Sequence, residues 1–212
     1  MSPGLLGPWR GCVKRGCRPL ANAPDVDDDR RVTTVRPSDD PEFFRRPAPE
    51  GRSRESTLRL DSRGRFWHDG ALVRHPRLAS VLHAWIGRHP DDGRYVLSNG
   101  YDWTYVAVDD APYFVVALRF GPPFDGRDPP PVEPERVELR LSDGSEETWE
   151  PTATRVGTDG ALYATVKRSA SRGPYEAKFT RHAQLSLDRV LVEADGGVVA
   201  VRLGGRTTTI GG

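Results

Sequence analysis

Short runs of alternating apolar and polar residues fill most of the chain, separated by turn residues. Thr57-Leu58-Arg59-Leu60 alternates, Asp61-Ser62-Arg63-Gly64 turns, and Arg65-Phe66-Trp67-His68 returns. Two such runs around a Gly-containing connection predict a β-hairpin. A turn at Asp69-Gly70 leads into Ala71-Leu72-Val73. The period then changes. Pro76 stands where a first helical residue is favoured. Leu78, Val81, Leu82, Trp85 and Ile86 recur at helical spacing, which predicts a helix over 76–86 with those residues on its apolar stripe. Gly87 is placed to end it.

Strands are predicted over 95–97 and 103–108, joined by the Asn99-Gly100 turn. Tyr113 to Phe120 is almost wholly apolar and β-prone, as a central buried strand should be. A stretch running from Gly121-Pro122-Pro123 to Pro134 interrupts all pattern and reads as a stiff linker. Beyond it, Val137–Leu141 turns at Asp143-Gly144 toward Thr148–Glu150, and the runs 162–166 and 175–179 form another hairpin. Ala183, Leu187, Val190, Leu191 and Ala194 share helical spacing, ending at Asp195-Gly196-Gly197, and 198–203 and 207–210 close the chain as a final hairpin. Arg74-His75-Pro76-Arg77-Leu78 opens the first helix and Arg181-His182-Ala183-Gln184-Leu185 the second. This echo is what a duplicated β-β-α-β-β unit would leave. The expected fold class is α+β: two small lobes, each of antiparallel strands with one packed helix. The expected division is a disordered arm over 1–56, an N-terminal lobe over 57–121, a Pro-rich linker over 122–134 and a C-terminal lobe over 135–212.

Composition explains the arm. Its prolines remove backbone donors and oppose helix, and its mixed charges leave little to bury. Phe43-Phe44 is its one aromatic pair, with docking on the body and exposure to solvent both open; the arm is also compatible with an extended gene start. Lys+Arg is 31 against Asp+Glu 30, so no global field draws the chain to nucleic acid. No window approaches the ~20 apolar residues of a membrane span, and the start carries no secretory apolar run. A cytoplasmic protein is expected. Cys12 and Cys17 lie in the arm without further cysteine, and zinc needs about four ligands, so free thiols and no metal are expected.

Leu60-Asp61-Ser62-Arg63-Gly64-Arg65-Phe66-Trp67-His68-Asp69-Gly70, the helix start His75-Pro76-Arg77-Leu78, and Val108-Asp109-Asp110-Ala111-Pro112-Tyr113 together resemble a bacterial family known as a domain of unknown function, DUF1285. Tyr175–Arg181 is similar to that family's strand into its second helix, and Gly204-Gly205-Arg206 to its closing turn; Thr207-Thr208-Thr209 departs from the aromatic residues expected there. The resemblance covers about 57–210. It implies a two-lobed α+β fold with repeated motifs and a role in ligand binding or signalling. It implies no catalytic residue.

Four residues are candidates for ligand contact: Trp67, His68, Trp103 and Asp110. The tryptophans would serve as core or groove aromatics. His68 has the chemistry of a proton carrier, although an ordinary turn histidine has the same surroundings. Asp109-Asp110 before Ala111-Pro112 suits a turn in which Asp110 accepts backbone N–H bonds; hard cations want six or more oxygens, and no other acidic cluster is near in sequence. His75 and His182 read as helix-entry residues. Gly204-Gly205-Arg206 lacks the Gly and Lys of a phosphate loop, and no local motif assembles a nucleophile, histidine and acid. No cofactor is implied. The expected function is a regulatory module that binds a small molecule or a protein partner in the crease between lobes. The alternative is an enzyme, a hydrolase in the first instance.

Overall fold

The computed structural model describes residues 40–121, 134–194 and 198–211, all within one compact unit spanning 35–212. The linker expected over 122–134 lies outside these residues apart from Pro134. So do both cysteines, the arm before residue 40, and Asp195-Gly196-Gly197.

The first hairpin forms as its alternation requires. Strand β1 (Arg59–Leu60) pairs with β2 (Phe66–His68), and β2 with β3 (Ala71–Leu72). Gly64 takes the positive φ of the intervening turn. Helix α2 (Pro76–Ala84) follows, α1 being a short helix upstream (Pro41–Arg45). His75 caps α2, its Nδ1 accepting from the Leu78 N–H at 3.3 Å, which is the helix-entry role read from sequence. A three-stranded antiparallel meander comes next: β4 (Ile86–Arg88), β5 (Tyr95–Ser98) and β6 (Trp103–Tyr105). Then β7 (Ala107–Val108) runs parallel to β1.

The largest sheet is mixed and has six strands, in the order β10-β9-β8-β13-β12-β11. These are β8 (Tyr113–Gly121), β9 (Arg136–Leu141), β10 (Glu146–Thr148), β11 (Thr154–Val156), β12 (Leu162–Val166) and β13 (Tyr175–Phe179). Strand β8 lies inside it, antiparallel to β9 and parallel to β13, as its apolar run predicts. Helix α3 (Arg181–Ser186) leads through a single 3-10 turn, Leu187–Arg189, into a second meander: β14 (Leu191–Ala194), β15 (Val198–Leu203) and β16 (Arg206–Thr209). Each long-range unit is thus a hairpin, a helix and a three-stranded meander. The molecule is α+β, with mostly strands, few helices and several small sheets.

Four expectations change. Residues 40–56 are not disordered: Phe43 and Phe44 of α1 are buried against Val96 and Trp103, because an apolar meander face accepts them. Strand β8, assigned to an N-terminal lobe ending at 121, is hydrogen-bonded into the sheet of residues 136–179. One apolar cluster accordingly runs from Leu60 and Phe66 through Tyr113–Val115 to Leu139, Ala177 and Leu187. The stripe of α2 is turned. Leu82 and His83 are buried, while Leu78 and Val81 remain exposed. Ala79, Leu82 and His83 are spaced i, i+3, i+4 and share the inward face; counting His83 as polar displaced the expected stripe by about one residue, or ~100°. Finally, helix α3 stops early, because β-branched Val192 with its neighbours pairs to Val199–Val201 as strand.

Candidate functional site

The structure sends the four sequence candidates to separate places. Trp67 is half-buried on β2, and its Nε1 donates to Asp61 Oδ2 at 3.0 Å. Asp61 also accepts from the backbone N–H groups of Arg63 and Arg65 and from Arg65 Nε. Burial works against ionisation of this carboxyl. Trp67, the two N–H groups and the Arg65 guanidinium nevertheless hold it below the usual carboxylate range. Trp67 is therefore a fixed part of the hairpin. His68, its neighbour, points to solvent with Asp69 Oδ2 at 3.6 Å from Nδ1.

Trp103 is buried in another cluster. Its ring centroid is 5.6 Å from Phe44, 5.1 Å from His89 and 5.2 Å from Tyr105. The Arg54 guanidinium lies 4.5 Å over it. Asp110 is in a third location. Its carboxylate is 2.7 Å from Lys178 Nζ and accepts from the Tyr163 hydroxyl at 3.1 Å. Asp110 keeps the Lys178 ammonium charged well above the usual lysine range, its hydrogen bond outweighing burial. The turn-capping role expected of Asp110 is replaced by this ion pair onto β13, because Lys178 offers a full charge where the turn offers N–H dipoles. Asp109 instead forms a two-pronged pair with Arg59 on β1, at 2.8 and 2.5 Å. Among the described residues no group of three His, Cys, Asp or Glu is arranged to hold a metal ion.

What the fold does build is a groove of about 460 Å³ between α2 and the six-stranded sheet. Three devices shape it. Gly64 lies against Phe114, and a Cβ there would stand 3.0 Å from that ring, so the turn reaches the sheet only as glycine. A β-bulge between Val115 and Ala117 breaks the β8–β9 register and leaves Val116 exposed; bulges re-aim side chains in this way. On the helix side, Ala79 and Ser80 leave space above His83.

His83 lines this groove with its ring between Phe66 (4.8 Å) and Phe114 (6.2 Å). It is 4% exposed. Nε2 is 3.4 Å from the Gly64 carbonyl, and Nδ1 has no hydrogen-bond partner among the described residues. Desolvation lowers the pKa of this histidine, against the opposing pull of the Gly64 and Pro112 carbonyls and Asp143, so the ring is neutral at pH 7. Arg63 and Arg140 stand at the rim. The groove lining contains no carboxylate, and neither arginine forms an ion pair among the described residues.

Sequence reasoning missed Asp61, His83, Arg63 and Arg140. Asp61 carried a signal as the first residue of a turn. His83 carried one as the i+4 neighbour of Ala79 beside Leu82. The arginines carried none, since β8, β9 and the first hairpin meet only in the folded chain.

In fold, the chain is similar to the crystal structures of two DUF1285 family proteins. The protein from Silicibacter pomeroyi DSS-3 aligns with a TM-score of 0.54 at 15% identity, over 74% of this chain and 80% of that one. The protein from Shewanella baltica OS155 aligns with a TM-score of 0.46 at 16% identity, over 63% of this chain and 91% of that one. No family model and no curated protein matches the sequence. The first likeness makes the fold DUF1285-like, in agreement with the resemblance read from the hairpin and the Asp109–Pro112 turn. At 15% identity it concerns fold alone. No helix among the described residues is long and apolar enough to cross a membrane.

Proposed function

We propose that the protein is a regulatory binding module whose groove under α2 takes a small molecule with an apolar body and an anionic head. One observation carries this reading: two arginines with no carboxylate between them flank a floor of Ala79, Phe114, Val116 and Leu141. Concave sites that are mainly apolar with a few polar groups are the usual form of ligand pockets, and a guanidinium matches a carboxylate in planar geometry. His83 supports binding over hydrolysis, because its contact within reach is a backbone carbonyl rather than a nucleophilic hydroxyl. The groove joins the first hairpin and α2 to β8 and β9, so an occupant would bridge the halves of the chain.

The test is thermal stabilisation of the full chain by straight-chain carboxylates and the matching alcohols, since a ligand of the native state raises Tm. Octanoate should raise Tm more than octanol, and an Arg63→Gln/Arg140→Gln variant should lose that difference. Equal stabilisation by both compounds, or none by either, contradicts the proposal.

A further inference from the structure

Helix α2 buries one face and leaves the other bare. Leu78 and Val81, spaced i, i+3, are 45% and 40% exposed. Ser80 and Ala84, spaced i, i+4, are exposed beside them. Exposed aliphatic residues scattered singly need no explanation, but these two are neighbours on one helix face. An aliphatic ridge next to a row of small side chains is the relief onto which a second helix packs.

The charges around this strip are of one sign. Between Asp69 and Asp91 the chain contains no Asp or Glu, and Arg74 and Arg77 stand at the start of the helix. Both are exposed. Arg77 is i, i+4 from Val81 and belongs to the same strip. Neither arginine has an ion-pair or hydrogen-bond partner among the described residues. Arginines elsewhere on the surface are used differently: Arg45, Arg59, Arg94, Arg119, Arg155 and Arg168 each hold a carboxylate at 2.5–2.8 Å. The fold gains nothing from the pair on α2, because cations at this end of a helix oppose its dipole.

We infer that the outer face of α2 is a docking surface for an acidic amphipathic helix of a partner protein. The apolar residues of that helix cover Leu78 and Val81, and its carboxylates take Arg74 and Arg77 in the planar geometry a guanidinium favours. Other anionic partners fit less well. A nucleic-acid backbone offers nothing apolar to Leu78 and Val81. An interfacial membrane helix needs a broad apolar face with aromatic or leucine anchors, and α2 has two half-exposed aliphatic residues there and no Trp, Tyr or Phe. The groove under α2 uses Pro76, Ala79, Ser80 and His83 of the same helix, so only Ser80 is shared and the two sites are separable.

The experiment is fluorescence anisotropy of the full chain with a labelled peptide of ~18 residues, long enough to be helical in water, bearing leucines at i, i+3, i+7 flanked by glutamates. The peptide should bind saturably. A version with lysine for glutamate, and an oligoglutamate of equal charge, should each bind at least about tenfold more weakly. Arg74→Gln/Arg77→Gln and Val81→Ser should each weaken the acidic peptide at least about fivefold while melting with the parent, as exposed substitutions do. Arg181→Gln at the start of α3, and Arg63→Gln/Arg140→Gln at the groove, should bind within about twofold of the parent. No saturable binding, equal binding of oligoglutamate, or an equal loss in Arg181→Gln would overturn the inference. Tighter binding to a DNA duplex or to phosphatidylglycerol vesicles than to the peptide would overturn it too, making this face a nucleic-acid or membrane surface.

Discussion

The two hairpin–helix–meander units end in meanders of the same topology, and the two are treated differently by the rest of the chain. In the first, Val96 and Trp103 are buried beneath Phe43 and Phe44. In the second, Val198 and Val199 are 44% and 52% exposed. The difference is the segment 40–57, which is strapped across the first meander at several points. Arg45 holds Asp91 at 2.7 Å, Glu55 holds Arg94 at 2.7 Å, and Arg54 pairs with Asp102 and donates to the Trp103 carbonyl at 2.7 Å. The Arg54 carbonyl accepts from the Tyr105 N–H and the Thr104 hydroxyl, both at 2.8 Å. A stretch rich in proline and charge can thus be ordered when two aromatic side chains bury and its charges find fixed partners. Exposed ion pairs alone would contribute little; the phenylalanines decide the outcome.

This contrast is broken most severely by removing the strap. Deleting residues 1–50, or the single change Phe44→Ala, should lower stability by about 3–5 kcal/mol, the usual cost of emptying a buried phenylalanine site. In the Phe44→Ala variant, trypsin should cut first between Arg45 and Arg54. Val199→Ser in the other meander should stay within about 0.5 kcal/mol. An unchanged urea midpoint after the deletion would mean that the strap rests on the meander without stabilising it.

The helices offer the next comparison. Leu82 of α2 is 7% exposed and Leu185 of α3 is 67% exposed. Leu82→Ala should cost roughly 2–5 kcal/mol, and Leu185→Ala less than about 0.5 kcal/mol; chemical denaturation measures both. Similar costs would show that the two helices are seated alike.

Asp61 anchors the hairpin before α2. Asp61→Ala removes the acceptor of Trp67 Nε1 and of two backbone N–H groups. It should cost about 1–3 kcal/mol, with a red shift of Trp67 fluorescence as the local readout. Because the folded carboxyl ionises below its ordinary value of 3.8, its contribution is present above that pH and is lost as pH falls through the folded value.

His83 gives the smallest effect, and one specific to α2. Its folded pKa is below the ordinary 6.5. The unfolded chain therefore binds the extra proton first, and stability falls as pH drops from about 6.5 toward the folded value, then levels. His83→Gln should remove that slope. A parent protein whose stability is flat below pH 6.5 would place His83 in a wetter setting.

Local patterns made the hairpins legible. Alternation around Gly64, in 162–179 and in 198–209 reflects strands with one face inward, and such strands announce themselves. Strand β8 was legible as an interior strand, and Tyr113–Val115 are buried while Val116 and Arg119 are exposed; its parallel partner β13 is more than sixty residues away, and nothing in either run names the other. Phe43-Phe44 was visible as a pair, and only the meander it meets determines its burial. The site was hardest to read. Trp67, His68, Trp103 and Asp110 are residue types able to do chemistry, and the fold uses three of them in packing, a hydrogen bond and an ion pair. The groove depends instead on Gly64, Ala79 and the bulge at Val116, which are small or unremarkable residues whose meaning is tertiary.

The proposed function turns on occupancy of the groove under α2. NMR of the histidine ring carbons of the full chain during titration with octanoate tests it most directly, because His83 is the histidine lining that groove. Octanoate in the groove should give a saturable shift of the His83 resonance with His68 and His75 unmoved. A rise in Tm with octanoate while the His83 resonance stays fixed would place the ligand elsewhere and contradict it.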